Sequence, residues 1–83
     1  MTFSEKTARA IDKYTRRLVR RQPQWIRTLF ETERIVFVVD DDGLLSLSVD
    51  ESLPLDKKNL AALMIGRYIE KYPCDTIQIT RIQ

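Results

Sequence analysis

Apolar positions along this 83-residue chain recur first at a helical period, then at a strand period, then at a helical period again, before a last alternating run. Thr2 and Glu5 have the spacing of a capping box, so a first helix is expected from Phe3 to about Arg21. Ile11, Tyr14 and Leu18 share one side of it, with Phe3 and Ala10 flanking them. Pro23 lacks an amide proton. It breaks this helix yet suits the first turn of a second, in which Trp25, Ile26, Leu29 and Phe30 form an apolar face.

From Arg34 the period becomes two. The β-branched and aromatic run Ile35 to Val39 favours a strand, and Asp41-Asp42-Gly43 ends it. Leu44 to Asp50 then alternates Leu45, Leu47 and Val49 with Ser46, Ser48 and Asp50. A hairpin follows, and the alternation selects its register. A two-residue Asp42-Gly43 turn would set Phe37 against Ser48, whereas a three-residue loop with Gly43 left-handed sets Ile35, Phe37 and Val39 opposite Val49, Leu47 and Leu45. The second arrangement is expected.

Beyond Pro54, Asp56 is an apt N-cap for a helix through Tyr72 carrying Leu60, Leu63, Met64 and Tyr68, with Ile65, Ile69 and Tyr72 outlying. Pro73 stops it. Thr76 to Thr80 alternates again, so Ile77 and Ile79 can join the apolar sheet face made by Ile35, Phe37, Val39, Leu45, Leu47 and Val49. The expected fold is α+β, one small domain over residues 1–83 in the order helix-helix-strand-strand-helix-strand. A right-handed crossover that carries the third strand past the first gives a three-stranded mixed sheet of order 2-1-3, covered by the first and last helices.

Composition narrows the chemistry. There is no histidine, one cysteine (Cys74) and two glycines (Gly43 and Gly66), which removes most metal and nucleophile arrangements and any disulfide within the chain. No cofactor is expected. The longest apolar runs fall far short of the roughly 20 residues a membrane span needs, and no signal-peptide hydrophobic stretch opens the chain, so a cytoplasmic protein with no transmembrane segment is expected. Asp40-Asp41-Asp42 could offer oxygens to a divalent cation, but Gly43 follows at once and the run reads as a turn, with no metal site. Cys74 reads as a packing residue at a helix end. No Gly-rich phosphate loop, no Gly-x-x-Gly nucleotide clamp and no carboxylate embedded in an apolar run is present, so the chain reads as a non-enzyme.

Charge supplies the outward-looking feature. Residues 1–29 hold eight Lys/Arg against two acids, a net +6, whereas residues 30–83 hold six against ten, a net −4. On the first helix Lys6, Arg9, Lys13, Arg17 and Arg20 fall in one arc at about 100° per residue, with Arg16 and Arg21 at its margins. These seven are the candidate contacts for an anionic partner, nucleic acid or an acidic protein surface, and Trp25 is a candidate for stacking. The reading is a small non-catalytic binding module. The alternative is a self-associating accessory subunit, a homodimer using the second sheet face (Val36, Val38 and Leu44) and an open strand edge.

Overall fold

The computed structural model describes residues 5–39, 44–74 and 78–82. Its elements are α1 (Glu5–Arg20), α2 (Gln24–Glu31), β1 (Ile35–Val39), β2 (Leu44–Val49), α3 (Leu55–Lys71) and β3 (Gln78–Ile82), an α+β arrangement.

The antiparallel part of the sheet is the two-stranded unit β1-β2, paired as Ile35↔Val49, Phe37↔Leu47 and Val39↔Leu45, the register the alternation selects. The strand order is not the one expected. β2 lies between β1 and β3, and β3 runs parallel to β2 with a register shift between Leu45 and Ser46, which overturns the sheet of order 2-1-3. Two physical reasons account for the difference. A chain leaving β2 through α3 can return directly beside β2, as consecutive elements commonly do, without passing β1. Apolar residues on both faces of β1 argued for a central strand, but Val38 is 46% exposed, so its second face is open and its apolar residues do not require a central place; the strand order puts β1 at an edge.

All three helices lie against one side of the sheet. Leu18 of α1, Ile26 and Leu29 of α2, Ile35 and Leu47 of the hairpin, and Ala61 and Ile65 of α3 pack into one cluster. Leu53, on the β2–α3 connection, completes it. Beside this cluster Ile11 packs on Leu45, with Val39 and Cys74 around them. Cover therefore comes from α2 as well as from α1 and α3: the Phe30 ring stacks on Phe37 at a centroid distance of 5.3 Å.

Each helix end has a local cause. Arg21 N–H donates to the Arg17 and Leu18 carbonyls and Gln22 N–H to Val19, a tightening turn that Pro23 then terminates. Pro23 sits at the N-cap of α2, one place before the first turn that its sequence suggested. The far end of α2 is a Schellman motif, with Arg34 N–H donating to Leu29 and Glu33 N–H to Phe30. It forces Glu33 to φ 60°, a left-handed position usually held by glycine. Likewise Pro54, and not Asp56, occupies the N-cap of α3; Asp56 lies in the first turn, where its charge suits the helix dipole. Tyr72 is the C-cap, just past the helix.

The phase of α3 also departs from expectation. Ala61 and Ile65 are fully buried, whereas Leu60 and Leu63 are 47% and 50% exposed and face solvent. Apolar residues surround this helix, so their spacing does not fix which side packs; Ala61 lets α3 lie close to its neighbours, and that side wins. The capping box at Thr2, Phe3, the Asp40–Asp42 turn, the left-handed Gly43, Thr76, Ile77 and the Ile79 side chain lie outside the described residues.

Candidate functional site

Every basic residue of α1 faces solvent. Lys6, Arg9, Lys13, Arg16, Arg17 and Arg20 are all exposed, while Ile11 and Leu18 on the opposite side are buried. On an ideal helix the six occupy about 100° of arc and span about 21 Å along the axis. Arg21, also exposed, extends the surface into the turn after α1. The seven residues singled out from sequence are thus brought together on one outer surface.

Two of the seven are engaged within the helix. Arg9 donates to Glu5 at 3.1 Å and Arg16 pairs with Asp12 at 3.1 Å, each four residues apart. All four side chains are more than half exposed, so each pair contributes only a few tenths of a kcal/mol and yields readily to a competing anion. Lys6, Lys13, Arg17, Arg20 and Arg21 form no ion pair with the described residues. The acidic half of the sequence does not neutralise the arc there: its described ion pair, Arg34 with Asp50 at 3.5 Å, lies at the base of the hairpin.

Asp50 is held below the usual carboxylate range by the N–H and hydroxyl of Ser52 and by Arg34. Its side chain accepts from Ser52 N–H at 2.9 Å, and its carbonyl accepts from Leu53 N–H, which shapes the turn into α3. The role is architectural. Tyr14, on the flank of α1, donates its hydroxyl to the Tyr72 carbonyl at 2.6 Å and meets the Tyr68 ring edge-on at 6.1 Å. Burial, with Tyr68 and Cys74 nearby, pushes its pKa up. This contact fastens α1 to the end of α3 and holds the basic face in a fixed orientation.

Trp25 is placed elsewhere. It packs against the core cluster, Lys57 Nζ lies 6.0 Å from its ring centroid, and the two line a shallow surface pocket of about 350 Å³ with Asp56 and Leu60 of α3. The structure therefore gathers it with α3 and not with the basic arc. On the second sheet face Val36 is half-buried and Val38 exposed beside Ser46 and Ser48; the Leu44 side chain lies outside the described residues.

One surface escaped the sequence reading. A groove of about 250 Å³ runs between α1 (Ala8, Ile11, Asp12 and Thr15) and β1 (Phe37 and Val39). Expecting β1 in the middle of the sheet hid this groove; the strand order, with β1 at one edge, is what opens it.

Among the described residues no three or more His, Cys, Asp or Glu gather as a metal site, and no helix is long and apolar enough to cross a membrane. Comparison with protein-family models, with curated proteins and with solved structures finds no match to this chain.

Proposed function

We propose that this chain is a non-catalytic binding module whose outer α1 face engages an extended anionic partner, a nucleic-acid backbone or the acidic face of a protein. One observation carries the reading: six basic side chains project from a single face of α1, opposite its buried stripe, and four of them have no ion pair among the described residues. Arginine outnumbers lysine there, and its planar fork bonds phosphate or carboxylate through two parallel N–H groups. A rigid helix spaces the charges at intervals of three and four residues, so they can follow a line of anions without reordering.

The test is a salt titration against duplex DNA, single-stranded RNA and an acidic protein. If Arg9, Lys13, Arg16, Arg17 and Arg20 each neutralise one phosphate, duplex affinity falls with a log–log slope of about −4 to −5. Replacing Lys13, Arg17 and Arg20 with Gln should make that slope shallower by roughly 2.7, about 0.9 for each phosphate no longer neutralised, with the circular dichroism spectrum unchanged. Saturable binding to the acidic protein alone would identify the partner as protein. No binding to any of the three at ~50 mM salt, where phosphate contacts are strong, overturns the proposal.

A further inference from the structure

Beside the basic face, a row of aromatic rings leads from the flank of α1 across the end of α3. The Tyr14 ring meets Tyr68 at 6.1 Å, and Tyr68 in turn lies 5.0 Å from Tyr72, the C-cap of α3. The last of these rings is open to solvent, with Tyr72 51% exposed. Its position is nevertheless fixed, because its carbonyl accepts the Tyr14 hydroxyl at 2.6 Å and Tyr68 packs against its ring.

Cations border this row. Lys13 and Arg17 line a surface recess of about 220 Å³ together with Ala10, Tyr14 and Cys74, two residues beyond Tyr72. Lys71 Nζ stands 5.5 Å from the centre of the Tyr72 ring. None of the three cations forms an ion pair with a described residue. Charge that can bind phosphate and a ring open for stacking are thus adjacent, whereas Trp25 is set apart beside the first turn of α3.

We infer that the partner of the basic face is a single-stranded nucleic acid, held with Lys13 and Arg17 on its phosphates and an unpaired base stacked on Tyr72. The inference rests on the anion-binding reading of α1 and selects among the partners that reading allows. Every unit of a single strand carries an anion and a planar base with a π-face, the two groups that this surface receives side by side. In a duplex the bases are stacked on one another, so their faces are closed to Tyr72. An acidic protein offers carboxylates without a planar ring beside each. The contact of Lys71 with Tyr72 is exposed and weak, so a base can take its place and leave the ammonium to a neighbouring phosphate.

Three probes of equal length test this by fluorescence anisotropy: oligothymidylate, the same backbone without bases, and a duplex containing the strand. The wild type should bind oligothymidylate at least about fivefold more tightly than the abasic strand, the low end for one base on one aromatic ring. Tyr72→Ala should weaken oligothymidylate binding by about 5- to 150-fold and leave the abasic and duplex affinities within about twofold. Its salt slope should be unchanged, because Tyr72 neutralises no phosphate. Tyr72→Trp should restore binding. The substitutions keep the carbonyl that fastens α1, so the circular dichroism spectrum should not change. In the wild type the Tyr72 ring protons should shift upfield on adding oligothymidylate and not on adding the abasic strand, which decides the matter should the alanine variant fail to fold. Equal affinity of the wild type for oligothymidylate and the abasic strand overturns the inference. So does a folded Tyr72→Ala variant that keeps all three affinities or loses all three alike, and so does binding to an acidic protein alone. Binding to duplex and abasic strand with no preference for bases leaves the basic face standing as a phosphate-binding surface; no binding to any probe or to an acidic protein removes both readings.

Discussion

α1 and α3 are nearly equal in length and pack on the same side of the hairpin, yet they present opposite kinds of outer surface. On α1 the division is sharp, with Ile11 and Leu18 inside and Lys or Arg at six outward positions. On α3 it is blurred: Leu60 and Leu63 stand outside among Asp56, Asn59, Arg67 and Glu70, while Ala61 fills the contact with the core. A helix whose outer side is all charge declares both faces through its sequence. When apolar residues occur on every side, the phase is decided by which side permits the closest approach, and here the side with Ala61 and Ile65 packs while the leucines stay outside.

The largest effect that could break this contrast is in the core. Ile65→Ala should destabilise by about 2–5 kcal/mol, as should Leu18→Ala on α1, whereas Leu63→Ala should stay within about 0.5 kcal/mol. Chemical denaturation of the three variants measures it. Equal losses for Leu63 and Ile65 would mean that α3 packs in the phase its leucines suggested.

A smaller effect probes the joint between the two helices. Tyr14→Phe removes the hydroxyl donated to the Tyr72 carbonyl and should cost about 0.5–1.5 kcal/mol. The raised pKa adds a pH signature. Because the folded chain resists losing the Tyr14 proton, the stability carried by this hydroxyl is complete below the unfolded value of about 10 and declines as pH rises through the folded value. Thermal melts across that range should show an alkaline decline in the wild type that is reduced in Tyr14→Phe. Parallel decline in both would place the alkaline sensitivity elsewhere.

The smallest effect sharpens the reading of the outer α1 face. Asp12→Asn breaks the exposed pair with Arg16 and should cost no more than about 0.5 kcal/mol while strengthening binding to a polyanion. A loss well above that would make the pair a structural support and the arginine face less free than its exposure suggests.

What the sequence disclosed follows the same division. The hairpin register was legible because a slip of one residue would have put Leu45 and Leu47 in water, and nothing else in the chain could compensate. The α1 faces were legible because charge and apolarity never share a side there. Strand order was not, since Thr76 to Thr80 carries an alternation that fits either edge of the hairpin. The turn from α2 to β1 was equally hidden. Glu33 takes up a left-handed backbone because the Schellman hydrogen bonds require it, although its side chain is poorly suited to that position.

The Tyr14–Tyr72 hydrogen bond joins residues 58 positions apart, and that interval is also a time. At about 5–20 residues per second, a ribosome needs roughly 3–12 s to pass from one tyrosine to the other. Until then α1 has emerged without the α3 end that fastens it, and for the earlier part of that interval without the hairpin that covers Ile11 and Leu18. A newly made chain thus displays an apolar stripe and a cationic stripe together, beside a particle built largely of RNA. Folding withdraws the apolar stripe and leaves the cationic one in place, so the synthesis of the hairpin and α3 determines how long α1 remains adhesive on both sides.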